Sequence, residues 1–333
     1  MKKILKGACI VAMLALAFTS CKKNDNKAHS FFATVEQTED LVGEEDERVY
    51  ITPGNNPQVY FEQGEQVLLY NIDYAGGPNS YYGVYTSRTT GPQTPFDYQS
   101  GPIIDHLERA DAFFAFYPGQ RVNNAYLSQN NYVIFDVPNR QTYREINGVG
   151  VLPERSFAMA AKRDDINTLV DATFPFQPIM GALVLELKTN GTPRTITSIV
   201  YEDNTFNVAG DVHVKIHEVD PVEMSWLFNN YNPDNDSYMH RLGEYLNRTG
   251  FFVDGDAYGK IITLDCGEGV EINGTAKPFN IALRPLAFHN GAKITVNFAN
   301  GDKAVLSTTA NCVIKPNKRR ILTGINVDNY IVP

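Results

Sequence analysis

The sequence predicts an all-β protein of stacked β-sandwiches, and three observations carry that prediction. Short runs rich in β-branched and aromatic residues recur along the chain from Val49 onward. Clusters of Gly, Pro and Asn separate them, supplying the backbone angles that tight turns need. Helical periodicity is nearly missing, with one modest candidate at 238–247, where Met239, Leu242 and Leu246 share a face.

Taken in order, the first half offers Gln58–Phe61, Gln66–Tyr70, Ala112–Tyr117 and Tyr132–Phe135 as strands. Between them lie Pro53-Gly54-Asn55-Asn56-Pro57, Ala75-Gly76-Gly77-Pro78-Asn79, Pro118-Gly119 and Asn147-Gly148. The second half offers Gly181–Leu187, Ile196–Tyr201, Val212–Ile216, Lys260–Leu264, Phe279–Leu283, Lys293–Phe298 and Ala304–Thr308. Asn300-Gly301 separates the last two and is a strong hairpin signal. Many short strands at regular spacing read as β-sandwiches. A chain of 333 residues exceeds one typical domain. The polar, irregular stretch 161–175 marks the expected boundary, giving an N-terminal sandwich over 49–168 and a C-terminal one over 169–333.

Ahead of the sandwiches the chain reads as an export leader. Lys2, Lys3 and Lys6 precede an apolar run from Ile10 to Phe18, then Thr19-Ser20-Cys21. Basic start, apolar middle and small residues at the cut describe a signal peptide over 1–20. The apolar run is far short of the roughly 20 residues a membrane span needs. A Cys directly after the small residues resembles a bacterial lipobox. That implies acylation at Cys21 and a chain anchored to a membrane rather than crossing it. Residues 21–48 form a polar tether that ends in Gly43-Glu44-Glu45-Asp46-Glu47-Arg48. Its one strand-like stretch is Phe31-Phe32-Ala33-Thr34-Val35.

Composition narrows the function further. The net charge is −9, and losing Lys2, Lys3 and Lys6 with no acidic residue takes the mature chain to −12. An acidic surface without basic clusters argues against nucleic acid as a partner. The one compact basic run, Lys318-Arg319-Arg320, reads as the cap of a strand end. Cys266 and Cys312 remain in the folded part, and in an exported chain they can form a disulfide or stand as two buried thiols.

No catalytic constellation emerges, and no cofactor is expected. The chain holds no phosphate loop, no nucleophile elbow and no His-Glu-x-x-His string. His213 and His217 share a strand face, but two histidines do not complete a metal site. Asn232-Pro233-Asp234-Asn235-Asp236-Ser237 is oxygen-rich yet lacks the glycine and distal glutamate of a calcium loop, and Asp254-Gly255-Asp256 is weaker still. Tyr81 and Tyr82 sit in a Tyr-rich stretch that can stack on sugars, although strand aromatics more often pack against a sheet.

Several blocks, in order, resemble the fimbrillin family, the type V pilin subunits of Gram-negative anaerobes. They are Gln58 to Val67 with its aromatic-acid-x-Gly-acid core, Ala112 to Pro118 ending Tyr-Pro, and Phe157-Ala158-Met159-Ala160-Ala161. Further on come Phe174 to Leu187, Ile196 to Ile199, Leu264 to Val270 and Phe279 to Pro285. Phe61 stands where many members carry Trp. The resemblance implies two tandem transthyretin-like sandwiches and a structural subunit of a surface fimbria that supports adhesion. It also implies export as an outer-membrane lipoprotein, proteolysis at an Arg, and assembly by strand exchange with other pilin subunits. On this chain the cut falls between Arg48 and Val49, and Phe31–Val35 is the strand removed. The alternating segment Ile321, Thr323, Ile325 and Val327, with Ile331 beyond it, is the donor-strand candidate, and equally the last strand of its own sandwich. A host or bacterial surface receptor is a further possible partner. The alternative is a glycan-binding surface lipoprotein that keeps its lipid anchor.

Overall fold

The computed structural model describes residues 30–35, 61–72, 82–101, 112–119, 122–123, 132–146, 148–153, 155–163, 166, 168–170, 172–204, 207–215, 252–254, 257–284, 286–288, 292–308, 312–314 and 319–332. The fold is all-β. The first strands are β1 (Phe31–Val35), β2 (Gln66–Ile72), β3 (Tyr82–Ser87), β4 (Gln93–Ser100), β5 (Ala112–Tyr117) and β6 (Val122–Asn123). They are followed by β7 (Tyr132–Val137), β8 (Arg140–Thr142), β9 (Arg144–Ile146), β10 (Val149–Val151), β11 (Met159–Arg163) and β12 (Thr173–Pro178). Next come β13 (Gly181–Lys188), β14 (Arg194–Glu202), β15 (Gly210–Lys215), β16 (Phe252–Asp254), β17 (Ile261–Ile272) and β18 (Lys277–Leu283). The last are β19 (Leu286–Phe288), β20 (Lys293–Phe298), β21 (Lys303–Ser307), β22 (Cys312–Ile314), β23 (Arg319–Asn326) and β24 (Ile331–Val332). Among the described residues no helix is long and apolar enough to cross a membrane.

Seven strands wrap into one closed layer in the order β1-β12-β11-β5-β2-β3-β4, and β1 also bonds to β4. Alternation decides which side chains fill the interior. Phe31 and Ala33 of β1, Val67 and Leu69 of β2, and Phe113 and Ala115 of β5 are all buried. Phe116 on the alternate face of β5 instead stacks near Phe135 of β7, with ring centroids 6.0 Å apart. A sheet in the order β16-β15-β7-β6 thus covers the outside of the barrel wall. This double coverage explains why Ala112–Tyr117 reads as a continuous apolar run rather than an alternating one.

The second half packs a three-stranded sheet, β18-β13-β23, against a six-stranded one, β24-β21-β20-β14-β17-β8. Leu183, Leu185 and Leu187 of β13 are fully buried, as are Ile196, Ile199 and Tyr201 of β14. The Asn300-Gly301 hairpin forms as expected. Gly301 takes φ +90°, a left-handed angle that only glycine adopts freely, and its N–H donates to the Phe298 carbonyl at 3.0 Å. Arg319 and Arg320 open β23, as the basic run predicts.

Pairing crosses the expected 168/169 boundary in both directions. β12 lies beyond it yet forms barrel wall between β1 and β11. β7 precedes it but pairs antiparallel with β15, and β8 pairs parallel with β17. The two halves therefore share strands, where separate sandwiches joined by a linker would not.

Residues 139–146 and 148–151 form a strap laid across the second sandwich. The Asn139 carbonyl accepts from the Thr263 amide at 2.8 Å, and the Tyr143 amide donates to the Asp265 carbonyl at 2.8 Å. Gln141, which is buried, donates from Nε2 to the Ala282 carbonyl at 2.8 Å and accepts on Oε1 from the Ala282 amide at 2.9 Å. The strap then turns back as the β9–β10 hairpin, where Val149 faces Ile146. Asn280 Nδ2 donates to the Gly150 carbonyl at 2.9 Å. Gly150 is pressed so closely on β18 that a Cβ there would lie 2.0 Å from the Pro278 oxygen.

Candidate functional site

The seat of β1 is the feature most relevant to function. This five-residue strand is short, and both of its edges are paired. It runs parallel to β12, with Ala33 opposite Phe174, and antiparallel to β4, with Phe31 opposite Phe96. Among the described residues it is the only strand that joins β4 to β12. Without it the barrel would be an open sheet with two unpaired edges.

The sequence Phe-Phe-Ala-Thr-Val fits that place by alternation. Phe31 and Ala33 point inward; Thr34 is half-buried and Phe32 is 37% exposed. The Phe31 ring lies 4.9 Å from Phe174, 5.1 Å from Tyr85 and 5.6 Å from Phe96, centroid to centroid. Phe61 continues the cluster, with edge contacts to Phe96 at 5.2 Å and to Phe176 and Tyr117 at 5.5 Å. Burying a Phe side chain contributes about 2–3 kcal/mol, and aromatic pairs add about 0.5–1.5 kcal/mol each. Outward-facing Phe32 gains little, though its amide donates to the Ala172 carbonyl at 2.7 Å.

A polar cluster borders this aromatic core. Glu65 is buried and accepts from the Tyr117 hydroxyl at 2.5 Å and from the Glu62 amide at 2.8 Å. Its own amide donates to Ser87 Oγ at 3.0 Å. Burial pushes the Glu65 carboxyl above the usual carboxylate range, partly opposed by the Tyr117 hydrogen bond. Burial, and then the nearby Glu65 charge, raises the Tyr117 phenol well above its ordinary value. Glu62 also pairs with Arg144 of β9 at 2.5 Å, tying the turn before β2 to the strap. Both Glu65 carboxyl oxygens are thus engaged, tying Tyr117 of β5 to the turn before β2.

The other predicted site residues are spread through the chain. Cys21, Arg48 and Val49 lie outside the described residues, as do His217, Tyr81, the 232–237 loop, Gly255, Asp256 and the 238–247 helix candidate. Ile321, Thr323 and Ile325 lie on β23, which runs parallel to β13. Val327 is buried in a 3-10 turn, and Ile331 pairs with Ala304 of β21. In this structure all five donor-strand candidates belong to their own chain's second sandwich. Cys266 carries a free, buried thiol whose pKa burial pushes up to about 12; the side chain of Cys312 lies outside what is described. Tyr82 is half-buried, with its ring 5.8 Å from Tyr70, which is the packing role expected of strand aromatics. Among the described residues no cluster of His, Cys, Asp and Glu could hold a metal ion.

Sequence reasoning missed the clamp on the C-terminal turn. Arg194 donates from Nε to Asp328 at 2.7 Å and from Nη1 to Asp302 at 3.1 Å, with its guanidinium 5.3 Å from the Phe298 ring centroid. The Asn190 amide donates to the second Asp328 oxygen at 2.8 Å. These partners lie on three separated segments, so no local motif announces them.

No family model matches the chain, and no curated protein matches it. Solved structures of similar shape include a "putative cell adhesion protein" of Bacteroides uniformis, at 15% identity and a TM-score of 0.46, over 76% of this chain and 84% of that one. A second protein of the same description, from Bacteroides ovatus, aligns at 10% identity and a TM-score of 0.48, over 89% of this chain and 98% of that one. The fimbrial anchor protein Mfa2 of Porphyromonas gingivalis aligns at 8% identity and a TM-score of 0.33, over 84% of this chain and 81% of that one.

Proposed function

We propose that the chain is a non-enzymatic structural subunit of a cell-surface fimbria, exported as a lipoprotein on Cys21 and assembled by strand exchange. The observation that carries this reading is the seat of β1. A short N-terminal strand closes the barrel, and the acid-rich segment that ends at Arg48 lies between it and β2. Proteolysis between Arg48 and Val49 would detach β1 covalently. Its departure would leave the edges of β4 and β12 unpaired and uncover Phe96, Phe174 and Tyr85. A strand from another subunit then gains both main-chain ladders and the aromatic pocket, which is β-augmentation. Until the cut, β1 keeps the groove filled and blocks premature association. The partners are other copies or related subunits, and the place is the outer membrane and cell surface.

The experiment is limited digestion of the full precursor with an Arg-specific protease. The expected result is a new N-terminus at Val49 and a ladder of oligomers that survive detergent. An Arg48→Ala precursor should stay monomeric under the same treatment. A cut protein that remains monomeric, or an Arg48→Ala chain that polymerises equally well, overturns the reading.

A further inference from the structure

The second sandwich has a side that its own strands leave open. β18 ends one sheet, and β17 would end the other if β8 were absent. The two lie next to each other in sequence, so their edges flank the same side of the sandwich. Residues 139–151 cover both. β8 bonds main chain to main chain with β17, while Gln141 bonds through its side-chain amide to the Ala282 backbone of β18. A primary amide presents one donor and one acceptor side by side, as a backbone peptide does, so Gln141 stands in for a strand on the second sheet. Tyr143 adds a ring contact to Phe279 at 5.0 Å, and Gly150 touches Pro278.

We propose that residues 139–151 are an intramolecular complementing segment, a strand donated by the first half that holds the two sheets of the second sandwich together. This role is independent of the fimbrial reading: it concerns how one chain closes itself, before any assembly. It follows that the second half depends on the strap. Lifting the strap unpairs the β17 edge, orphans both backbone groups of Ala282 and uncovers the neighbourhood of Cys266, next to which Tyr143 lies.

The test is hydrogen exchange on the full chain carrying Gln141→Ala. Amides of β17 around Thr263 and of β18 around Ala282 should exchange at least tenfold faster, while those of β2 and β5 stay within twofold of the parent. In a Cys312→Ser background, Cys266 should react correspondingly faster with a thiol reagent. Unchanged exchange in β17 and β18 overturns the proposal. So does an equal rise in the barrel strands, which would mean general loosening. If Gln141→Ala yields no folded protein, Tyr143→Leu removes the ring contact to Phe279 together with the exposed hydroxyl bond to Glu145, and is read by the same criteria.

Discussion

Two strands in this chain complete a layer that other segments build, and they are held by different chemistry. The contacts that seat β1 are two main-chain ladders and the packing of Phe31 and Ala33. Any strand with the right alternation could make them. The strap is held by bonds that name their residues. Gln141 reads both groups of Ala282, Asn280 reads Gly150, and no side chain but hydrogen fits at Gly150. A generic seat can be vacated and refilled, whereas a specific one makes a permanent joint. The β1 seat asks only for alternation, whereas the strap asks for particular residues.

The largest effect that would sharpen the contrast is Phe31→Ala. It removes a buried ring from three aromatic neighbours and should cost about 3–5 kcal/mol of barrel stability. Denaturant unfolding followed by Tyr fluorescence measures it. A loss below 1 kcal/mol would mean that β1 contributes little to closing the barrel. Phe32→Ala on the outward face of the same strand should cost under 1 kcal/mol.

Gly150→Val comes next. Its Cβ would collide with the Pro278 carbonyl, so backbone must shift, at a cost of about 1–3 kcal/mol. The loss should appear in thermal unfolding of the second sandwich. A neutral Gly150→Val would make the strap as permissive as the β1 seat and erase the comparison.

Two pH effects are smaller. The Glu65 carboxyl is raised in the folded state, so the fold binds its proton more tightly than the unfolded chain does. Its contribution is therefore fully present below the ordinary carboxylate pKa and is lost as pH rises through the folded value. Stability of the parent relative to Glu65→Gln should decline as pH rises above the ordinary value of 4.5. The Asp328 carboxyl is lowered, first by the Asn190 amide and further by Arg194. Its contribution is present above the unfolded value near 3.8 and is lost as pH falls through the folded one. Asp328→Asn should cost at most about 1 kcal/mol at pH 7, as a part-exposed ion pair does, and progressively less as pH falls below 3.8. Equilibrium unfolding across pH reads both.

Much of the fold was legible because strands announce themselves locally. Ala112–Tyr117 is a strand with the bounds its apolar run predicts, and Asn300-Gly301 turns the hairpin between β20 and β21. Phe31–Val35 stood out as the one strand-like stretch in a polar leader, and it is a strand. Partner choice was not legible. Nothing near Gln141 points to Ala282, 141 residues away, and nothing in Tyr132–Val137 says that β15 lies beside it. β12 reads as the start of the second half because Phe174-Pro175-Phe176 runs on towards β13, yet it closes the barrel. Such long-range pairings rest on complementary edges, and edges of equal apolarity are interchangeable in sequence.

The direction of β1 has one more consequence. Its seat is parallel on the β12 side and antiparallel on the β4 side. A chain entering backwards would invert both ladders, so the vacated groove distinguishes the N-to-C sense of whatever fills it. A contact that reads polarity is heterologous, because the patch that gives differs from the patch that receives. Repeated head to tail, it builds a ring or an open filament, according to whether the rotation between neighbours closes. A filament assembled through this groove, as proposed above, would have two unlike ends.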